Sequence, residues 1–275
     1  MNKIEKLSIL GCGWLGKPLA ISFIEKGKQV KGSTRSEDKL SALSSEGIIP
    51  YQIKADPFIL PDQAADFFTT DCLILNIPPE RKPDVLEYYT AQTESILKAA
   101  IKGTIRYVIF TSSTSVYADN AGEAIEDQVL NPDKLSGKTL IKSEDLVRKY
   151  FPENHLILRL AGLVGPDRHP GRFLAGKKDI PNGNAPVNLV HLNDCIGSIH
   201  ALINGNIWGE TFNVCSPEHP TKKDFYTNAA ISGGYEPPQF GEVQGGGKRV
   251  SSDKLIKAID YRFRHLHPMM ALEDS

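Results

Sequence analysis

Short apolar runs alternate with amphipathic stretches through the first part of the chain. This alternation is typical of repeated βαβ units, which build a parallel sheet. Leu15, Leu19 and Phe23 recur every fourth residue, so they predict one face of a helix that ends at Lys26-Gly27. A longer helix is predicted over 83–102. The predicted strands are residues 7–10, 29–33, 51–54, 72–77, 107–110 and 155–160. Together these elements predict a doubly wound parallel α/β sheet.

A glycine-rich turn, Gly11-Cys12-Gly13-Trp14-Leu15-Gly16, joins the first strand to the first helix. In a dinucleotide site one glycine permits the tight turn, one lets the backbone approach the pyrophosphate, and one allows close helix–strand packing. The start of the helix adds N–H donors and a positive dipole end. Strand, motif, helix and second strand follow in order, so the sheet is predicted to be Rossmann-like rather than merely to contain a glycine-rich turn. The predicted cofactor-binding residues of the turn are Gly11, Gly13, Trp14, Leu15 and Gly16.

The end of the second strand indicates which dinucleotide fits. An NAD site usually places an acidic residue there for the ribose 2′-hydroxyl. This chain instead has Gly32-Ser33-Thr34-Arg35-Ser36, and a guanidinium flanked by hydroxyls suits a 2′-phosphate. NADP is therefore the predicted cofactor, with NAD as the alternative if Arg35 is a solvated surface charge. The residues assigned to this site are Ser33, Thr34, Arg35 and Ser36.

The fourth predicted strand ends in Asn76-Ile77-Pro78-Pro79. Two prolines remove two N–H donors and stiffen the loop, so the segment is suited to shaping a cofactor groove. Simple termination of the strand is the alternative. The residues assigned to the groove are Asn76, Ile77, Pro78 and Pro79.

The composition of the chain changes in its C-terminal part, because residues 166–186 are rich in glycine, proline and basic residues. Ligands of doubly wound sheets bind at the carboxyl ends of the strands, where a lid over the site is expected. We predict a dinucleotide-binding domain over 1–165, to which 187–215 returns. The segments 166–186 and 216–275 are predicted to form a small substrate-binding lid region.

Composition narrows the set of partners. With 32 Lys+Arg against 33 Asp+Glu the net charge is −1, so neither nucleic acid nor a membrane surface is a predicted partner. No run of 18 apolar residues and no signal-peptide stretch is present, which predicts a cytoplasmic protein. The four cysteines form no CxxC pair and are predicted to be buried reduced thiols. His191 and Asp194 lack a third ligand, so no metal site is predicted, and Asp194 is expected to cap a helix beginning at Cys195.

Four further segments, in chain order with the glycine turn, resemble the extended and atypical short-chain dehydrogenase/reductases of the NAD(P)-dependent epimerase/dehydratase type. They are Phe110-Thr111-Ser112-Ser113-Thr114-Ser115-Val116-Tyr117, Arg159-Leu160-Ala161-Gly162-Leu163-Val164-Gly165-Pro166, Asn188-Leu189-Val190-His191-Leu192-Asn193-Asp194 and Thr211-Phe212-Asn213-Val214. The resemblance spans residues 7–261. The glycine turn departs from the GxxGxxG of extended members and points to an atypical branch. The resemblance implies a small-molecule substrate and a homodimer formed by two helices of the sheet.

The resemblance also implies roles after the fifth strand. It places Ser113 where the family has its catalytic hydroxyl, and Ser112 beside the cofactor. The alternative is that Ser112 to Ser115 only cap and turn the chain. Tyr117 is a candidate substitute acid, although the resemblance makes it first a packing residue at the end of the strand.

The Tyr-x-x-x-Lys dyad of the family is missing from this chain by alignment. When the family's pattern is aligned so that its final glutamate is Glu144, Ser136 falls at the tyrosine position and Leu140 at the lysine position. Lys138 and Lys142 lie two residues either side of Leu140, which is about 200° around a helix. Both lysines are therefore expected on the solvated helix surface, and the standard proton-transfer mechanism is not predicted.

A basic loop, Arg168-His169-Pro170-Gly171-Arg172, enters the predicted lid. Arg168 and Arg172 are candidates for binding the phosphate or carboxylate of an anionic substrate. The alternative is a solvated loop without a ligand.

Two functions are consistent with these residues. The first is an NADP-dependent oxidoreductase or epimerase-like enzyme that acts on an alcohol, carbonyl or sugar-nucleotide substrate without the Tyr-Lys dyad. The second is a non-catalytic NADP-binding module with a regulatory or redox-sensing role. The missing dyad favours the second, whereas the glycine turn and the serine-rich strand end are compatible with both.

Overall fold

The computed structural model describes residues 3–59, 64–80, 82–242 and 246–272. Its strands are β1 Lys6–Leu10, β2 Gln29–Thr34, β3 Ile49–Gln52, β4 Cys72–Leu75, β5 Tyr107–Ser113, β6 Gly122–Ala124, β7 His155–Leu160, β8 Gly162–Val164, β9 Leu189–His191, β10 Glu210–Val214 and β11 Lys248–Val250. Its α-helices are α1 Gly16–Glu25, α2 Leu40–Ser44, α3 Val85–Lys102, α4 Leu135–Tyr150, α5 Leu192–Asn204, α6 Lys222–Ser232 and α7 Asp253–Ile259. Within these ranges no helix has the length and apolar composition that a membrane crossing requires.

Seven strands form one parallel sheet in the order β10-β7-β5-β4-β1-β2-β3. β1 lies between β2 and β4, with Ser8 opposite Lys31 on one side and Leu73 on the other. The chain therefore builds the sheet outward from β1 in both directions. Ligand sites of such sheets lie at the carboxyl ends of the strands where the order reverses, here between β1 and β4. The predicted Rossmann-like doubly wound α/β fold is confirmed.

The strand boundaries show where the apolar pattern was informative. β7 covers the predicted residues 155–160, all of which are buried. β3 begins at Ile49, two residues before the predicted start. Pro50 fits there because β3 is the edge strand, where a missing N–H removes no central ladder bond. β4 ends at Leu75, so the residues that follow it are free to leave the sheet and line a cavity.

The chain divides into two compact units. Unit 1 consists of Met1–Ser112, Lys134–Leu158 and Ile207–Thr211, and unit 2 of Ser113–Asp133, Arg159–Asn206 and Phe212–Ser275. The predicted dinucleotide-binding domain, 1–165 with 187–215, includes segments that lie in unit 2, namely 113–133, 159–165, 187–206 and 212–215. The reason is that these segments bond to each other, as when the Tyr117 hydroxyl donates to Asn213 Oδ1 at 2.7 Å.

Unit 2 contains two small parallel sheets, β6 with β11 and β8 with β9. The side chain of Asn188 joins the segment before β9 to β11, because its Nδ2 donates to Lys248 O and its Oδ1 accepts from Val250 N, both at 2.8 Å. Apolar side chains beside these sheets form a separate core. Its buried members are Val164, Val187, Leu189, Phe225, Ala229 and Ala271.

The predicted capping role of Asp194 is wrong. α5 already begins at Leu192, and its N-cap is His191, whose Nδ1 accepts a backbone N–H at 3.1 Å. Asp194 lies in the first turn with 1% exposure. Its carboxylate accepts hydrogen bonds from Arg264 N at 2.7 Å, His265 N at 3.0 Å and His265 Nδ1 at 2.8 Å. Asp194 therefore anchors the segment after α7 to α5.

Candidate functional site

A cavity of about 360 Å³ opens at the carboxyl ends of β1, β2 and β4 in unit 1. The glycine turn, the end of β2 and the segment after β4 form its walls, and the loop after β3 and α3 complete them. The lining residues are Leu10, Gly11, Cys12, Gly13, Ser33, Thr34, Arg35, Ser36, Lys39, Ile53, Ala55, Asn76, Ile77, Pro78, Pro79, Glu80 and Gln92. The cavity thus lies at the position where doubly wound sheets bind their ligands.

Three segments that the sequence predicts separately, the glycine turn, the end of β2 and the segment after β4, lie together in this cavity. They do so because parallel strands end at the same edge of the sheet. The predicted cofactor-binding residues that line it are Gly11, Gly13, Ser33, Thr34, Arg35, Ser36, Asn76, Ile77, Pro78 and Pro79.

Each glycine of the turn meets a different steric requirement. Gly11 has φ +105°, and a Cβ on it would lie 2.5 Å from Asn76 O. A Cβ on Gly16 would lie 2.1 Å from Gly11 O. Both distances imply atomic overlap, so only glycine fits. A Cβ on Gly13 would meet nothing within 4 Å, and this position borders open space where a ligand can approach the backbone.

Side chains from the neighbouring strand ends hold Gly11 from both sides. Its N–H donates to Ser33 Oγ at 3.0 Å, and its carbonyl oxygen accepts from Asn76 Nδ2 at 2.9 Å. Thr111 on β5 donates to Asn76 Oδ1 at 3.1 Å, which fixes the orientation of the amide. Ser33 and Asn76 therefore position the turn in addition to lining the cavity.

Four of the predicted cofactor-binding residues lie outside the cavity lining in the part of the chain that the structure describes. They are Trp14, Leu15, Gly16 and Ser112. Leu15 belongs to the buried core, and Gly16 begins α1 in contact with Gly11. Ser112 is buried and its hydroxyl donates to Glu144 Oε1 at 2.7 Å. The geometry thus gives these last three residues packing roles.

Charged side chains gather where β2 ends. Arg35 Nη1 donates to Glu80 Oε1, and Lys82 Nζ pairs with Glu80 Oε2 at 2.8 Å. These two cations, Lys82 first, lower the pKa of Glu80 below its usual range. The carboxylate is therefore ionised at neutral pH. Lys39 is a further cation in the cavity lining.

Sequence reasoning missed five lining residues from outside the three segments. They are Lys39, Ile53, Ala55, Glu80 and Gln92. Lys39 lies four residues after Arg35, at the end of the 3₁₀ helix Glu37–Lys39. Ala55 and Gln92 meet only in the folded chain, where Gln92 Nε2 donates to the carbonyl of Ala55. No local sequence pattern predicts this contact between Gln92 and Ala55.

The four cysteines are free thiols, as predicted. Burial raises the pKa of Cys12, in the glycine turn, to about 12. Burial also raises the pKa of Cys72, Cys195 and Cys215 above the usual thiol range. The nucleophilic thiolate is therefore scarce at neutral pH at all four positions.

Ser136 and Leu140, which the alignment puts at the dyad positions, lie on α4. Leu140 is 4% exposed, whereas Lys138 and Lys142 are both exposed. Ser136 is half-buried. Both lysines thus lie on the solvated side of the helix, as the 3.6-residue repeat predicts.

In unit 2, Ser113 and Tyr117 have local partners. Ser113 Oγ accepts from Ser115 N at 3.1 Å and caps a short 3₁₀ helix, which is the capping role that the sequence left open. The buried Tyr117 hydroxyl donates to Asn213 Oδ1 at 2.7 Å and accepts from Arg159 Nη1 at 2.9 Å. Burial raises the pKa of Tyr117, against the opposing charge of Arg159. This geometry assigns Tyr117 to the core of unit 2.

Tyr117→Phe is expected to lower the free energy of unfolding by about 1–3 kcal/mol, because Asn213 and Arg159 each lose a buried partner. Urea denaturation followed by circular dichroism measures the change. Tyr235→Phe is the control, since Tyr235 is 39% exposed and its substitution should leave stability unchanged. Equal stability of Tyr117→Phe and the wild type would contradict the core assignment.

The basic loop of unit 2 contains two arginines in different surroundings. Arg168 is half-buried, and burial, with the charge of Arg172 second, lowers its pKa. Arg172 is exposed and its Nη2 donates to Asp167 O at 2.6 Å. The guanidinium of Arg172 thus shapes its own loop.

The fold and the glycine-lined cavity at its switch point define a protein of the Rossmann-like doubly wound α/β class. The family described as NADP oxidoreductase, coenzyme F420-dependent, matches residues 6–99, which contain the glycine turn, β2 and β4. A UDP-glucuronic acid 4-epimerase from Bacillus cereus, in complex with UDP-glucuronic acid and NAD, has a TM-score of 0.76 at 20% identity, over 98% of this chain and 97% of that one. A UDP-N-acetylglucosamine 4-epimerase from the same organism has a TM-score of 0.77 at 17% identity, over 98% and 96%. These structures share the fold.

The chain belongs to the family of protein YeeZ of Escherichia coli. It is 37% identical to protein YeeZ of strain K12 over 271 residues, which cover 97% of this chain and 98% of the relative. The same figures hold for protein YeeZ of Escherichia coli O157:H7. The similarity therefore extends through both units.

Proposed function

We propose that this chain binds NADP in the cavity at the ends of β1, β2 and β4, with Arg35 at the 2′-phosphate. The observation that carries the proposal is the presence of Arg35 in the same lining as Gly11 and Gly13. Lys39 adds a second cation to this part of the wall, and Thr34 and Ser36 add hydroxyl groups. The match of residues 6–99 to an NADP oxidoreductase family supports the same cofactor.

Arg35→Ala is expected to weaken NADPH binding about tenfold to a hundredfold, because a charge-assisted contact to phosphate is lost. NADH binding should stay unchanged, since NADH has no 2′-phosphate. Isothermal titration of both cofactors against both proteins measures the difference. Arg262→Ala is the matched control, because it removes an arginine whose side chain is 89% exposed and outside the cavity lining. A wild type that binds both cofactors equally, or an Arg35→Ala protein that keeps its preference, would refute the assignment of Arg35.

As an enzyme, the protein would act on an alcohol, carbonyl or sugar-nucleotide substrate. Bound NADP would supply hydride chemistry, and the chain would supply orientation and a polarising hydroxyl group. The nucleotide-sugar ligand of the Bacillus cereus epimerase motivates this substrate class, and Arg168 and Arg172 are the residues we assign to its anionic group. The alignment on Glu144 puts Ser136 and Leu140 at the positions of the Tyr-Lys dyad, so Ser113 is the hydroxyl that we assign to polarising the substrate.

A non-catalytic NADP-binding module is the second candidate, and the alignment that puts Ser136 and Leu140 at the dyad positions favours it. Its response to redox state would come from cofactor occupancy, because the raised pKa values of all four cysteines argue against thiol chemistry. Reduced-nicotinamide absorbance, followed over a panel of sugars, sugar nucleotides and carbonyls, separates the candidates. Turnover that Ser113→Ala abolishes supports the enzyme, whereas tight NADPH binding without turnover supports the module.

A further inference from the structure

Glu80 is bonded to the guanidinium that the proposed function assigns to a 2′-phosphate. Arg35 follows β2 and Glu80 follows β4, and both line the cavity. The Glu80 carboxylate accepts a hydrogen bond from Arg35 Nη1. The Arg35 side chain is 75% exposed and that of Glu80 is 34% exposed. The ion pair is therefore at the open side of the cavity, where a ligand can compete for it.

Glu80 also has a second cationic partner, Lys82, which has a contact of its own that does not involve Arg35. Lys82 Nζ lies 2.8 Å from Glu80 Oε2 and 4.3 Å from the centre of the Tyr88 ring. The Tyr88 hydroxyl in turn donates a hydrogen bond to Asp56 Oδ1 at 2.5 Å. Lys82 is not among the described residues that line the cavity. Glu80 can thus release Arg35 and remain paired.

We propose that Glu80 is a specificity-determining residue that competes with the 2′-phosphate of the cofactor for Arg35. A carboxylate and a phosphate both match the fork of a guanidinium, so a bound 2′-phosphate must displace or share the Glu80 contact. The negative charge of the ionised Glu80 also repels a phosphate that binds the same guanidinium. The consequence is a smaller preference for NADP over NAD than Arg35 and Lys39 alone would give. The inference rests on the proposed function.

Two nucleotide probes isolate this contact from the rest of the cofactor. Adenosine 2′,5′-bisphosphate carries the 2′-phosphate, and adenosine 5′-monophosphate lacks it. Glu80→Gln, which preserves the shape of the side chain, is expected to tighten the bisphosphate about threefold to tenfold. Binding of the monophosphate should not change. In the Arg35→Ala background most of the gain should disappear, because the contested guanidinium is absent.

Lys82→Gln tests how Glu80 is released. We expect it to weaken bisphosphate binding in the wild-type background, because Glu80 then depends on Arg35 alone. In the Glu80→Gln background it should have no effect. Equal weakening in both backgrounds would mean that Lys82 contacts the phosphate itself, which would overturn this part of the inference. Thermal unfolding of each variant confirms that the fold is retained.

The outcomes separate the inference from the proposed function. If the Glu80→Gln protein binds both probes more weakly than the wild type, Glu80 accepts hydrogen bonds from ribose hydroxyls. That result would overturn the proposal that Glu80 competes with the phosphate. Unchanged bisphosphate binding by Glu80→Gln would also overturn it, while leaving the NADP site intact. If the wild type binds neither probe nor NADPH, the proposed function itself fails, and the inference fails with it.

Discussion

Gly16→Ala is expected to lower the free energy of unfolding by about 3 kcal/mol, with a fall in Tm of about 6–12 °C. The reason is that the new Cβ would lie 2.1 Å from Gly11 O, which is backbone and cannot rotate away. Either α1 must move or the turn must open. Differential scanning calorimetry measures the loss, and NADPH affinity should fall with it because the turn that lines the cavity is displaced.

Gly13→Ala is the matched control within the same motif. A Cβ at Gly13 meets nothing within 4 Å, so stability should stay within about 0.5 kcal/mol of the wild type. In the proposed NADP complex the added methyl group would occupy space that the pyrophosphate needs, so NADPH affinity should fall by about tenfold or more. A Gly16→Ala protein as stable as Gly13→Ala would refute the steric argument. A Gly13→Ala protein with unchanged affinity would instead refute the placement of the pyrophosphate.

Asp194→Ala is expected to destabilise the protein by about 3–5 kcal/mol, because three donors lose a shared acceptor at a cost of about 1–3 kcal/mol each. The substitution removes the carboxylate shared by the part-buried N–H of Arg264, the buried N–H of His265 and the His265 ring. Urea denaturation of the full chain should show the loss. Asp194→Asn should recover part of it, because one carbonyl oxygen remains to accept a hydrogen bond.

Asp127→Ala provides the comparison for that experiment. Asp127 belongs to the same unit, its side chain is 86% exposed, and it lies 3.9 Å from Lys254. Exposed pairs contribute little, so its loss should cost less than about 0.5 kcal/mol. A cost for Asp194→Ala as small as that for Asp127→Ala would show that the carboxylate does not anchor the segment after α7.

The sequence is informative about this protein where the physics is local. The apolar runs and the glycine spacing predict the central sheet and the turn, because strand burial and the steric demand at Gly11 and Gly16 act over a few residues. The position of Arg35 in the cavity lining was predictable for the same reason, since the residues after the second strand of a βαβ unit lie at the edge of the sheet where ligands bind. Adjacent parallel strands then bring these segments to a common edge without any further signal.

The rest of the site depends on contacts between residues far apart in the chain. Arg35 and Glu80 are 45 residues apart, Thr111 and Asn76 are 35, and Asp194 and His265 are 71. A helix period or a strand alternation carries no information on such pairs. The error over Asp194 shows this directly: an acidic residue early in a helix suits a cap by local rules, and only the folded chain reveals the competing donors from the segment after α7.

The manner in which Ser33 holds the turn determines which backbone amides an anion can reach. Gly11 N donates to Ser33 Oγ at 3.0 Å, and Cys12 N donates to Ser33 O at 2.8 Å. The first two amides of the motif are therefore already engaged by one residue of the neighbouring strand. An anion at this turn must take its hydrogen bonds from amides after Cys12, at the start of α1, where the helix dipole adds positive potential. One serine thereby determines which amides of the motif remain available to an anion.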